Sequence, residues 1–193
     1  MTGQINVNKI AARTGTTINV ASGHTFHQAG AVLQTISTSN ETNYSTTSGT
    51  FVQLGETLSI TPKFATSKIY VQCYFSARHT GGDYAFAVGI GRGTANNNLT
   101  LQKKFTRHAS FRSGTDNISQ SQMTVAMLDS PNTTSARHYG LMFHIHSGQG
   151  GTTQLTPNTG NVDGNDSFFL MLQEIAQWVR YLLISLRIHP AVI

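Results

Sequence analysis

The sequence predicts an all-β chain: an antiparallel β-sandwich of jelly-roll type, with a short N-terminal segment before it and an apolar C-terminal extension after it. Three observations carry that prediction. Across residues 67–78, Ile69, Val71, Cys73 and Phe75 alternate with Tyr70, Gln72, Tyr74 and Ser76, a two-residue period that buries one face of a strand. Runs of this kind, about eight in all, recur between turn signals, with no long amphipathic helix before residue 175. Charged residues make up only 11% of the 193, while hydrophobic residues reach 38%. Disorder combines low hydrophobicity with high charge, and neither holds here.

Residues 1–29 are polar, with Ile5 and Val7, then Ile18 and Val20, alternating on either side of Gly15. Two strands this short are not stable alone, so the segment is expected to pack on a neighbour. Residues 31–36 read as the first strand of the main body, followed by a Ser/Thr/Asn-rich loop over 37–49. Phe51, Val52 and Leu54 open a second strand, and residues 58–61 make a third that Pro62 stops. The strand over 67–78 is the central one, and Gly81-Gly82 turns the chain after it. Residues 84–90 follow, with Gly89, Gly91 and Gly93 marking a bend, bulge or loop. Asn96, Asn97 and Asn98 form a loop tip.

Over residues 118–128, Met123, Val125 and Met127 are expected to face inward. Asp129, Ser130, Pro131 and Asn132 are strong turn chemistry, and residues 137–147 read as the partner strand. A Gly/Thr/Asn loop spans 148–165, and residues 167–176 are the last strand of the pattern. The body therefore covers 30–177, flanked by 1–29 and 178–193. The final sixteen residues are densely apolar but contain Arg180 and Arg187, too short and too charged for a membrane-spanning helix. Burial at an interface is the expectation for such a segment.

Candidate chemistry is sparse. His144 and His146 lie two apart on a strand, so both imidazoles point to one face and would reach one metal ion, as two of its ligands. The competing reading has Phe143 and Ile145 in the core and the two histidines on the solvent face, and it is preferred. Residues 89–93 lack the third glycine, helix and Lys-Ser/Thr pair of a phosphate loop. Asp163 and Asp166 lack the spacing of a calcium loop. No Gly-x-Ser-x-Gly elbow occurs, and the eight acidic residues sit mostly in turns, which disfavours a glycoside-cleaving pair. No catalytic residue and no cofactor is therefore assigned.

The net charge of +5 comes from scattered residues, with Lys103, Lys104, Arg107 and Arg112 the one local cluster. No nucleic-acid motif accompanies it, so nucleic acid is not an expected partner. Cys73 is the single cysteine, which excludes an intrachain disulfide and leaves a small buried hydrophobe. The first residues lack a basic stretch followed by an apolar one, so no secretory signal is expected and synthesis is cytoplasmic.

Several pieces of the chain resemble small virion proteins of tailed bacteriophages, of the marine and cyanobacterial type. They are residues 30–34, the Ser/Thr-rich stretch leading to Phe51 and Val52, and residues 58–62, 67–71, 128–131 and 174–176. The leader around Ile5 and Ile10 resembles the attachment strands that precede such modules. The resemblance implies a non-enzymatic structural protein: a short, trimeric tail fibre in the virion, docked on the tail or baseplate through residues 1–29. Loops at 37–49, 91–98 and 148–165 would then meet a host-surface glycan or protein. A capsid decoration protein or head fibre is the alternative, and a glycan-cleaving tailspike-like enzyme or a free carbohydrate-binding module stands behind it. The apolar residues after Ala176 depart from the family pattern.

Overall fold

A computed structural model describes residues 29–80, 84–105, 108–110, 118–145, 151–155 and 168–177. The predicted segments 1–28 and 178–193, most of the loop over 148–165, and His146 lie outside these residues. The chain is all-β, in two antiparallel sheets that form a sandwich. Its strands are β1 (Val32–Asn40), β2 (Tyr44–Thr46), β3 (Val52–Ile60), β4 (Lys68–Thr80), β5 (Tyr84–Gly93) and β6 (Leu99–Lys104). They continue with β7 (His108–Ser110), β8 (Ile118–Asp129), β9 (Arg137–Ile145), β10 (Thr152–Leu155) and β11 (Phe168–Ile175).

Strand β4 organises the first sheet. At 13 residues it is long enough to hold β11 along Lys68–Tyr74 and β10 along Ala77–Thr80, with β8 running the whole length of its other side. Strands β1 and β2 lie outside β11 and β10. In the second sheet β9 sits between β3 and β5, and β6 and β7 share the far side of β5. Among the eight principal strands, the first therefore pairs with the last (β1·β11), the second with the seventh (β3·β9), the third with the sixth (β4·β8) and the fourth with the fifth (β5·β6). That is the jelly roll: one long antiparallel ribbon wound into two sheets.

The inward faces are as the alternation predicts. Ile69, Val71, Cys73, Phe75 and Ala77 of β4 are fully buried and pack with Leu170 and Leu172 of β11. Val88, Ile90, Leu141 and Phe143 come down on them from the other sheet. Three rings tie the layers together: Phe143 meets Phe75 edge-on at 5.5 Å and stacks on Phe86 at 5.9 Å. Met123, Val125 and Met127 pack against this core, as expected.

Four expectations are corrected. The second and third strands are one strand, β3, because Gly55 at φ 87° forms a bulge and lets the pairing with β9 skip from Gln53 to Thr57. The loop over 37–49 contains the end of β1 and all of β2, and β10 lies inside the loop over 148–165. The strand after the turn at Asp129 is not the partner of the strand before it. β8 pairs with β4, whereas β9 pairs with β3 and β5 in the opposite sheet, so that turn crosses the sandwich.

The fourth correction concerns the glycines. The expected bulge is present in the pairing of β5 with β6, between Ile90 and Gly91, but β5 runs on to Gly93, so Gly91 and Gly93 are strand and not loop. With Gly89 they are the alternate residues of one face of β5, between β9 and β6. They form a trough that neighbouring side chains fill. A Cβ on Gly91 would lie 2.6 Å from the Met142 sulfur, and one on Gly89 would collide with Leu101.

Candidate functional site

The register places the start of β1 and the end of β11 at one end of the sandwich. Gly30 N–H donates to the Ala176 carbonyl and Ala176 N–H to the Ala31 carbonyl, both at 2.9 Å. The connections β3–β4, β5–β6 and β8–β9 lie at that same end. The predicted contact loop over 91–98 is therefore at the end where β1 starts and β11 finishes. The stretches 37–49 and 152–155 lie at the opposite end. The three loops do not form one surface.

Two carboxylates close the end where β1 starts and β11 finishes. Ile69 has Glu174 as its register partner on one side and Asp129 on the other, so both acids sit at inward positions of one layer. Glu174 is fully buried and accepts from Gln34 Nε2 at 2.6 Å, Lys63 N–H at 2.7 Å and Phe64 N–H at 3.3 Å. It thereby fastens the β3–β4 connection to β11. Asp129 Oδ2 accepts from Arg92 Nη1 and from the buried Tyr139 hydroxyl, each at 2.7 Å. Strand β8 of one sheet is so joined to β5 and β9 of the other.

Beside that join, at the edge strands β6 and β8, opens a polar mouth. One cleft is lined by Arg92, Thr94, Asn98, Thr100, Gln102 and Arg137. A second, adjoining it at Gln102, is lined by Lys103 and residues 126–129. Sequence reasoning saw Lys103 and Lys104 but not Arg92 or Arg137, which are 45 positions apart by their numbers and meet only through the pairing of β5 with β9. Arg107 and Arg112 lie outside the described residues.

The predicted histidine pair is half visible. His144 is half-buried, its Nδ1 3.0 Å from the Ile145 carbonyl oxygen and its ring 4.4 Å from that of Phe51. Phe143 and Ile145 beside it are buried, which agrees with the packing reading of this strand. Among the described residues no three His, Cys, Asp or Glu side chains gather as a metal would require. No helix of the described residues is long and apolar enough to cross a membrane.

No protein-family model matches the chain, and no curated protein matches it. Solved structures do. A structure of infectious bursal disease virus, Gt strain, aligns over 83% of this chain and 42% of its own, at 11% identity and a TM-score of 0.40. The infectious bursal disease virus VP2 subviral particle aligns over the same shares at 14% identity and 0.39. Eiger TNF from S. frugiperda aligns over 70% of this chain and 93% of its own, at 9% and 0.32. The chain spans less than half the length of the infectious bursal disease virus chains. The jelly-roll assignment rests on this chain's own strand pairing.

Two buried groups make stability depend on alkaline pH. Burial pushes the Cys73 thiol far above its ordinary 9.0. Burial and then the hydrogen bond to Asp129 push the Tyr139 hydroxyl far above its ordinary 10.0. Both stay neutral in the fold, whereas the unfolded chain ionises them. Their contribution is therefore complete below about pH 9 and falls as pH rises beyond it, with a slope approaching about 2.7 kcal/mol per pH unit once both titrate. Urea midpoints between neutral and strongly alkaline pH are expected to show this decline, and Cys73→Ala is expected to move its onset upward.

Proposed function

We propose that this chain is a non-enzymatic structural protein of a virion, and within that class a short trimeric tail fibre. It would dock through residues 1–29 on the tail or baseplate and take part in adsorption to the host cell. The observation that carries this reading is the outer face of the sheet built on β4. Cross-strand rows there bring together Tyr70, Tyr74, Leu128, Phe169 and Met171, with Val32 and Ile175 at one end and Lys68 as the charged member. Val32 is 51% exposed, Tyr74 39% and Leu128 53%, an apolar patch of the kind that marks an interaction surface.

The occupant proposed for this face is a second copy of the chain. Four strands at about 4.8 Å spacing and seven residues at about 3.3 Å give a flat footprint on the order of 450 Å². A stable interface needs about 800 Å² per partner, and the apolar sequence of residues 178–193, attached at Ala176, would supply the remainder. A three-fold ring is heterologous, so this face would meet a different patch of the next copy. Jelly rolls recur in viral shells and lectins, but fold alone does not assign a role. The family pieces and the uncharged polar composition support the virion reading over a free lectin.

Two measurements test it. Light scattering of the purified chain is expected to give three copies, and the pair Tyr74→Lys with Leu128→Lys is expected to give a folded monomer. A wild-type monomer at micromolar concentration would overturn the assembly. Imaging of particles labelled for this protein is expected to place it at the tail. Density on the head would instead make it a decoration protein or head fibre, and unlabelled particles would end the virion reading.

A further inference from the structure

The mouth on the β6–β8 side holds more positive charge and more hydrogen-bonding groups than joining the two sheets requires. Its two clefts, of about 370 Å³ and about 340 Å³, share Gln102 and run lengthwise along the side of the sandwich. Arg92, Arg137 and Lys103 line them against a single carboxylate, Asp129. Asp129 takes Arg92 through one guanidinium nitrogen and so fixes the plane of a group that has five donors. The pairing of β5 with β6 shifts between Ile90 and Gly91 and passes over Gln102. In a regular strand Gln102 and Lys103 would face opposite ways; with this bulge both line the same cleft.

We propose that this groove binds an acidic polysaccharide, a polymer of sugar hydroxyls bearing carboxylate or sulfate groups. The chemistry lining it suits such a chain. Guanidinium forks at Arg92 and Arg137 suit planar or branched oxyanions. Thr94, Asn98, Thr100 and Gln102 between them offer both donors and acceptors to hydroxyls. Among the described residues no aromatic side chain lines either cleft, whereas single-stranded nucleic acid uses aromatic platforms to stack its bases. The site deepens the adsorption reading, but it is tested on free protein, so the particle location stands or falls separately.

Isothermal titration of the full-length chain at about 0.1 M salt tests it with five probes. These are polygalacturonate, dextran sulfate, unsubstituted dextran, inorganic sulfate and a short single-stranded oligodeoxynucleotide. One of the two charged glycans is expected to bind at least about tenfold more tightly than dextran, and which one does so distinguishes carboxylate from sulfate recognition. Arg137→Gln and Lys103→Gln are each expected to weaken that binding about five- to tenfold with an unchanged melting midpoint. Lys63→Gln removes the same charge from the exposed β3–β4 connection, where Lys63 Nζ reaches the Leu33 carbonyl on the β1 side, and is expected to leave binding intact. The proposal is overturned if dextran binds as well as the charged glycans, or if Lys63→Gln weakens binding as much as the groove variants. Equal binding of the oligonucleotide, or of sulfate alone, would overturn it too.

Discussion

Phe143→Ala is expected to destabilise the fold by about 4 kcal/mol, the upper part of the range for removing a buried ring. Phe143 is completely buried, and its ring is the middle member of a set that spans both sheets, edge-on to Phe75 and stacked on Phe86. Truncation removes the transfer energy of the ring and leaves a cavity that two other rings must either line or fill. Neither neighbour can collapse into it without pulling its own strand inward, because Phe75 belongs to β4 and Phe86 to β5. For a chain of this size the melting midpoint should fall by roughly 8–15 °C. Phe143→Leu keeps most of the volume and should lose only about 1.5 kcal/mol. Guanidinium unfolding of both variants checks the pair, and near-equal losses would contradict the bridging role assigned to the ring.

Glu174→Ala is expected to cost about 3 kcal/mol by a different mechanism. The side chain accepts hydrogen bonds from two backbone N–H groups of one connection, at Lys63 and Phe64, and from Gln34 Nε2. Without that acceptor, each of these part-buried donors loses its partner, at about 1 kcal/mol apiece. Gln34 has an alternative, since its Nε2 also reaches the Thr61 carbonyl at 2.8 Å. Glu174→Gln retains one acceptor oxygen and should cost about 1 kcal/mol. Amide exchange separates this local effect from global loosening: the Lys63 and Phe64 amides should exchange faster in the alanine variant than their neighbours in β4 do.

Local chemistry was legible and distant pairing was not. The alternation of Ile69 to Phe75, the inward set Met123, Val125 and Met127, and the turn after Asp129 each depend on a handful of adjacent residues. The assignment of β9 to the other sheet depends on partners far along the chain, and residues 137–145 look the same in either sheet. Gly89, Gly91 and Gly93 were read as a bend, bulge or loop because glycine is intrinsically poor in strands; the bulge is there, but the strand runs through it to Gly93. Their period of two was visible, but Met142 and Leu101, the side chains that occupy the space, lie outside the run. The groove was hidden for the same reason: Arg92 sits among glycines, Arg137 after a turn, and only the register of β5 with β9 makes them neighbours. Asp129 and Glu174 both fall within pieces that resemble the phage family. Nothing adjacent to either hints that together they close one end of the sandwich.

The pairing of first strand with last sets an order on synthesis. Thr35 and Gln173, which meet across β1 and β11, are 138 positions apart, and translation at about 5–20 residues per second leaves β1 waiting roughly 7–30 s for its partner. Over that interval the first sheet cannot close, and the second has all its strands only once β9 has been made, at Ile145. Non-local pairing of this kind folds slowly even once the chain is complete. The strand that waits longest is suited to it: between Gln34 and Asn40, β1 offers Thr, Ser and Asn with Ile36 as its only large apolar residue. A polar first strand keeps the unfinished ribbon from finding the wrong edge.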